Sequence, residues 1–217
     1  MKNTARWWSI LLVPGLAWAQ DEPRLLDSFD DASPWRVVTS DQVSGSLREV
    51  PGDEGEALCL DYDFNGVSGH VGIQRDLPLE YPGNFAFSFR LRGDSPDNDL
   101  QFKLVDASGD NVWWVNRPKY DYPRKWTPVR YKRRHLEKAC GPDPDPVLRR
   151  STKLEVTIYN KVGGRGSVCF DTLVLEPLPA DDDSPLRADA IATAGDATLA
   201  VDGRMGTAWR VEKSTLP

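Results

Sequence analysis

The run Phe85-Ala86-Phe87-Ser88-Phe89-Arg90-Leu91 alternates without a break. Phe85, Phe87, Phe89 and Leu91 fall on one side of an extended backbone, and Ala86, Ser88 and Arg90 fall on the other. Successive side chains of a strand leave opposite faces, so this period of two predicts a strand with one buried face. The neighbouring sequence repeats the pattern. Leu100, Phe102 and Leu104 alternate with Gln101 and Lys103. Asp106-Ala107-Ser108-Gly109-Asp110-Asn111 is turn-forming, and Val112-Trp113-Trp114-Val115 follows it. Val129/Tyr131, Leu154/Val156/Ile158 and Val168 to Leu175 continue the series downstream, and Leu58, Leu60, Tyr62 and Phe64 begin it upstream. Residues 133–139 have room for one short turn. Seven to nine such segments fall between residues 25 and 178, split by Gly, Pro and Asp turns and with no amphipathic helix among them. They predict an all-β fold, an antiparallel β-sandwich of the jelly-roll kind.

Composition narrows the function. The 217 residues carry 27 Lys and Arg against 33 Asp and Glu, a net charge of −6, with 3 Cys and 2 His. An acidic chain is a poor general nucleic-acid binder. Two His leave little for a Ser-His-Asp site or a His-rich metal site. The length is about one and a half average domains, so one full domain and something shorter are expected.

Residues 1–19 read as a secretory signal peptide. Lys2 and Arg6 give a positive start, Trp7, Trp8, Ile10, Leu11, Leu12 and Val13 an apolar stretch, and Ala17-Trp18-Ala19 a cleavage site before Gln20. The stretch is interrupted by Pro14-Gly15 and falls short of the roughly 20 residues of a membrane span. The mature protein is expected to be secreted or periplasmic and to lack a membrane span. Residues 20–178 hold the β-sandwich. Residues 179–185, Pro179-Ala180-Asp181-Asp182-Asp183-Ser184-Pro185, read as an acidic Pro-rich linker. Residues 186–217 are too few to close a core of their own and read as the incomplete start of a second domain, whose remainder would lie beyond Pro217.

Export permits disulfides. Leu58-Cys59-Leu60 and Val168-Cys169-Phe170 both look like strand interiors, so antiparallel neighbours would allow a Cys59–Cys169 bridge. Cys140 sits in the loop sequence Cys140-Gly141-Pro142. A bridge using Cys140 and three free thiols are the other two readings. The Cys spacings match no zinc pattern.

Aromatic rings stack on the apolar faces of pyranoses while polar neighbours fix the hydroxyls. Residues 113–126 concentrate the candidates for such a site: Trp113, Trp114, Asn116, Arg117, Tyr120, Tyr122 and Trp126. Trp113 and Trp114 are adjacent and must face opposite ways, one into the core and one outward. The plain alternative is that all these aromatics pack the sandwich and its edge. Residues 117–138 also hold nine Lys or Arg against Asp121 and Glu137, leaving −13 on the rest of the chain. Such a stretch suits an acidic polysaccharide, or else protects a strand edge from pairing. No pair of carboxylates lies in a recognisable glycosidase setting. Gly163-Gly164-Arg165-Gly166 reads as a tight turn, because no helix follows to make it a phosphate loop. His70 and His135 read as surface or packing residues. No enzyme is expected within these residues.

Two resemblances add to this reading. Ala192-Thr193-Ala194-Gly195-Asp196, Ala200-Val201-Asp202-Gly203 and Thr207-Ala208-Trp209 resemble the opening of a discoidin, or coagulation factor 5/8 C-terminal, domain. That resemblance implies calcium ligation by Asp202 and Thr207, although Arg204 stands where the family often has an acidic or amide residue. The block 25–178 resembles the galactose-binding-like jelly-roll carbohydrate-binding modules. The passages that carry the likeness are Leu26-Asp27-Ser28-Phe29-Asp30, Phe102-Lys103-Leu104-Val105-Asp106 with Trp113-Trp114, Lys125-Trp126 before Val129, and Gly163-Gly164 with Phe170-Asp171. Cys140 occupies a place where those relatives often have a Trp. The resemblance implies a structural calcium near Asp27, Asp30 and Asp171. It also implies a secreted, non-catalytic module that binds a poly- or oligosaccharide at the front of a larger bacterial glycoside-hydrolase-like protein. The alternative is a structural or protein-interaction β-sandwich without sugar binding.

Overall fold

The structure, a computed structural model, describes residues 22–180. The signal segment, most of the linker and the 186–217 segment with Asp202 and Thr207 lie outside the described residues. Twelve strands follow in order: β1 (Arg24–Asp27), β2 (Arg36–Thr39), β3 (Ser44–Pro51), β4 (Glu56–Asp63), β5 (His70–Glu80), β6 (Phe85–Asp94), β7 (Asp99–Val105), β8 (Val112–Arg117), β9 (Thr127–Lys132), β10 (Glu137–Cys140), β11 (Arg150–Tyr159) and β12 (Arg165–Pro177). A single 3-10 turn, Arg133–His135, stands where a short turn was expected, and β10 follows it.

The strands form two antiparallel sheets. The first runs β3-β4-β12-β6-β9, with β1 added beside β12, and the second runs β10-β8-β7-β11-β5-β2. Successive strands pass repeatedly from one sheet to the other, the mark of a jelly roll. The described strands outnumber the seven to nine expected. The additional ones include β1, β2, β3 and β5, whose sequences alternate poorly.

The alternating Phe residues meet between the sheets. Phe87 of β6 lies 5.0 Å from Phe102 of β7, and Phe89 stacks on Phe102 at 5.9 Å. Phe85, Phe87, Phe102 and Phe170 are at most 1% exposed. Each contributes about 2–3 kcal/mol by leaving water. Arg75 breaks the apolar rule on the inward side of β5. It pairs across the sandwich with Asp27 of β1, and its guanidinium lies over Trp35 at 5.6 Å.

Asn98, fully buried before β7, fixes the loop between β11 and β12. Its Oδ1 accepts the N–H groups of Lys161, Val162 and Gly163 at 2.9–3.0 Å, and its Nδ2 donates to the Gly163 carbonyl. Gly163 and Gly164 both adopt positive φ, 84° and 81°, so the turn read from their sequence needs glycine there. Cys59 of β4 faces Cys169 of β12 directly and is bonded to it. Cys140 is free and exposed.

Candidate functional site

The inward residues of the second sheet are mostly aromatic and aliphatic, Arg75 apart. Its outward residues are of another kind. One register line crosses all six strands: Glu137, Trp114, Lys103, Glu155, Gln74 and Arg36. Their side chains are joined. Trp114 Nε1 donates to Glu137 Oε1 at 3.1 Å, Lys103 Nζ to Glu155 Oε1 at 3.0 Å, and Gln74 Nε2 to Glu155 Oε2 at 2.6 Å. Arg36 completes the line by donating to Gln74. The next line on the same face is Asn116, Gln101, Thr157, Gly72 and Val38. Beyond it lie Tyr159, Asp99 and His70.

Polar residues on an outer face are ordinarily exposed. Here Gln101, Thr157, Asp99 and Glu155 are all buried. Thr157 donates to Glu155, and Asp99 accepts the Lys119 backbone N–H at 2.8 Å. Asn116 Oδ1 is buried and has no hydrogen-bond partner among the described residues. A buried orphan acceptor is costly and calls for a partner. Burial, with the Lys103 charge adding to it, holds the His70 imidazole below its usual pKa; its Nδ1 lies 2.8 Å from Ser40 Oγ. Two aromatic rings flank this polar floor. Trp114 is half-buried, and Tyr159 is 44% exposed. Two strand steps and four residues separate them, about 16 Å by strand spacing.

The aromatics expected to form one cluster are divided by the fold. Trp114 and Asn116 lie on this outer face. Trp113 points into the core, 5% exposed, where Nε1 donates to the Pro146 carbonyl at 2.7 Å. It also lines a 600 Å³ cavity at one end of the sandwich with Leu79, Val147 and Arg149. Tyr122 is buried, and Tyr120 packs on it at 5.0 Å. Arg117 ends β8 with its guanidinium over the core-facing Tyr131. Trp126 stands on the outer face of the other sheet, against the Cys59–Cys169 cluster and under Arg92. The physical reason is that β8 belongs to one sheet, and the chain then crosses to begin β9 in the other. The basic stretch is dispersed in the same way. Arg124 pairs with Asp94 and Arg130 with Glu176, and β9 is an edge strand, the setting in which Lys and Arg discourage edge pairing.

The three N-terminal and C-terminal acids have separate partners. Asp27 takes the Arg75 guanidinium, the Phe29 N–H and Trp35 Nε1. Asp30 Oδ1 accepts the Glu56 N–H at 2.7 Å. Asp171, fully buried, accepts the Asp53 and Glu54 N–H groups and so anchors the turn between β3 and β4. Among the described residues no group of three or more His, Cys, Asp or Glu is gathered closely enough to hold a metal ion. Nor is any described helix long and apolar enough to cross a membrane.

Tyr159, Lys103, Glu155, Gln74 and Gln101 were not among the candidates from sequence. The available signal was the polar side of β7 and β11, where Gln101, Lys103, Glu155 and Thr157 alternate with the apolar residues.

No family model and no curated protein matches the sequence. Solved structures do match in fold. The family 11 carbohydrate-binding module from Clostridium thermocellum, in complex with a β-1,3-1,4-mixed-linked tetrasaccharide, superposes with a TM-score of 0.60 at 16% identity, over 72% of this chain and 96% of that one. The solution structure of the module called CtCBM11 gives 0.58 at 17% identity, over 76% and 99%. An exo-β-agarase gives 0.50 at 12% identity, over 75% of this chain and 26% of the enzyme. The chain therefore shares the antiparallel β-sandwich fold of those modules.

Proposed function

We propose that residues 20–178 are a non-catalytic carbohydrate-binding module that takes a poly- or oligosaccharide across the outer face of the second sheet. The observation that carries this reading is the buried, unpartnered Asn116 Oδ1 beside the half-exposed Trp114 on one strand and one face. A pyranose stacked on the indole brings hydroxyl groups beside the Asn116 amide, which meets them by rotating its side chain outward. Gln101, Gln74 and Lys103 supply further hydrogen-bonding groups, and Tyr159 supplies a second ring about 16 Å away. The fold likeness to modules of this kind supports the same reading.

A glycosidase needs two carboxyl groups about 5–9.5 Å apart across the scissile bond. On this face Glu137 and Glu155 are three strand steps apart, about 14 Å, and Asp76, nearer to Glu155, is paired with Arg36. Both oxygens of Glu155 are already held, by Lys103 and Thr157 on one and Gln74 on the other. The face is built to hold a ligand rather than to cleave one. The chain is in this reading exported, with its signal removed near Ala19-Gln20, and serves as the front of a longer glycoside-hydrolase-like protein.

Mixed-linked β-glucan is the first ligand to test, since a fold neighbour was solved with a fragment of it. Affinity electrophoresis against a panel of soluble glycans should show retardation that Trp114→Ala abolishes. A folded protein retarded by no glycan of the panel overturns the proposal. Retardation unaffected by both Trp114→Ala and Asn116→Ala moves the site off this face.

A further inference from the structure

The outer face of the first sheet carries a second arrangement that the site above does not use. Arg48, Cys59, Cys169 and Arg92 are register partners across β3, β4, β12 and β6. The disulfide is therefore flanked by an arginine on each side. Together with Gly93, Asp94, Arg124 and Ser167 they line a depression of 310 Å³ whose floor includes both cysteines. Trp126 packs against the disulfide and its neighbours, and the Arg92 guanidinium lies over the indole, 4.6 Å from the ring centroid.

The three arginines are not equivalent. Arg48 makes a two-pronged contact with Asp61, at 2.9 and 3.1 Å, and Arg124 pairs with Asp94. Arg92 forms no ion pair and donates no hydrogen bond among the described residues. A guanidinium lying over an aromatic face keeps its five N–H groups in its own plane, so this contact leaves the donor fork free while holding it in place. A held, unpaired fork in a concave, arginine-lined setting matches a planar carboxylate.

We propose that Arg92 on Trp126 is a carboxylate-binding site for an acidic sugar residue, on the opposite sheet from Trp114. The proposal rests on the carbohydrate-binding reading for the nature of the ligand, but not on the Trp114 face for its location. A uronate carboxylate takes two parallel hydrogen bonds from Arg92, while Arg48 and Arg124 stay with their own acids, Asp61 and Asp94. The cross-strand disulfide and Trp126 fix the platform beneath.

The full chain would be titrated with oligogalacturonate, a sulfated oligosaccharide and a neutral mixed-linked glucan, following amide shifts by NMR and affinity by calorimetry. Oligogalacturonate is expected to shift the amides of Arg92, Gly93, Ser167 and Cys169 and to bind about tenfold more weakly to Arg92→Gln. It should bind Trp114→Ala as it binds the wild type, and 0.5 M salt should weaken it. Arg92→Lys, which keeps the charge but loses the fork, should fall between the two. Thermal melts equal to wild type show that the variants are folded. Unchanged uronate affinity in Arg92→Gln overturns the proposal, as does uronate binding lost in Trp114→Ala but not in Arg92→Gln, or no uronate binding at all. Tighter binding of the sulfated ligand than of the uronate overturns the carboxylate assignment. A wild type that binds the uronate but not the neutral glucan leaves this site standing and counts against the Trp114 face.

Discussion

Lys103 Nζ lies 3.0 Å from Glu155 Oε1 at the centre of the second sheet's outer face, with the two side chains only 18% and 11% exposed. Charges at that depth are tolerable as a pair and costly apart. Burial pushes the Glu155 carboxyl up, but Lys103 foremost, then Thr157 and Gln74, outweigh it and hold the group below the usual glutamate range. A carboxyl whose pKa is lowered on folding adds stability above its unfolded value, and that stability is lost as pH falls through the folded value. Lys103→Met is expected to cost about 3 kcal/mol in urea unfolding at neutral pH. That cost should shrink as pH falls, because Glu155 without its main counter-charge takes up a proton at a higher pH than in the wild type, and once neutral it needs no cation beside it. A variant that matches the wild type in both measurements would show that the pair is not coupled.

The Cys59–Cys169 bond joins adjacent antiparallel strands across a sequence separation of 110 residues. Closing so long a loop in the unfolded chain restricts it strongly, and the chain-entropy argument gives about 5 kcal/mol. The variant carrying both Cys59→Ala and Cys169→Ala should lose stability of that order in urea, with its far-ultraviolet spectrum unchanged at low denaturant. Cys140→Ser should melt as the wild type does, since that thiol is exposed and unbonded.

The fold was legible wherever one face of a strand is purely apolar. Phe85 to Leu91 and Leu100 to Leu104 announce themselves because their inward residues face each other across the core. β5 does not, because Arg75 points inward among apolar neighbours, and only Asp27, 48 residues away, makes that tolerable. β3 begins Ser44-Gly45-Ser46, where the inward residue is a glycine against Val71 and Val37. At the site, the opposed orientation of Trp113 and Trp114 followed from strand geometry. Which one faces the core did not, because it depends on the register that sets Trp113 opposite Leu104. Trp126 was grouped with Trp114 by closeness in sequence, and the crossover from β8 to β9 puts them on different sheets. Tyr159 reaches the site through the pairing of β11 with β7, and Gln74 through that of β5 with β11, which no local pattern encodes.

Tyr122 is 4% exposed, and its hydroxyl has no hydrogen-bond partner among the described residues. Burial, foremost, holds the phenol well above its usual pKa. A buried hydroxyl without a partner carries a desolvation penalty and returns nothing for it. Tyr122→Phe is therefore expected to leave stability unchanged or to raise it by up to about 1 kcal/mol, read from the urea midpoint. A loss of more than that amount would reveal a partner for the hydroxyl.

Gly72 sits between Thr157 and Val38 on the outer face, where β5 meets β11 and β2. A Cβ at this position would lie 2.6 Å from the Val156 carbonyl oxygen and 3.0 Å from Thr157 Oγ1. The nearer atom is backbone, so it cannot swing aside as a side chain can. Gly72→Ala must push β5 away from β11 and disturb the Glu155–Gln74 hydrogen bond two residues along. Overpacking of this kind costs about 1–3 kcal/mol, and glycan retardation should fall with it, because Gln74 and Thr157 move relative to Trp114. Gly83→Ala is the control: a Cβ there meets nothing within 4 Å, so it should leave both stability and retardation as they are. If Gly72→Ala binds and melts as Gly83→Ala does, β5 is not held to β11 as closely as its register requires.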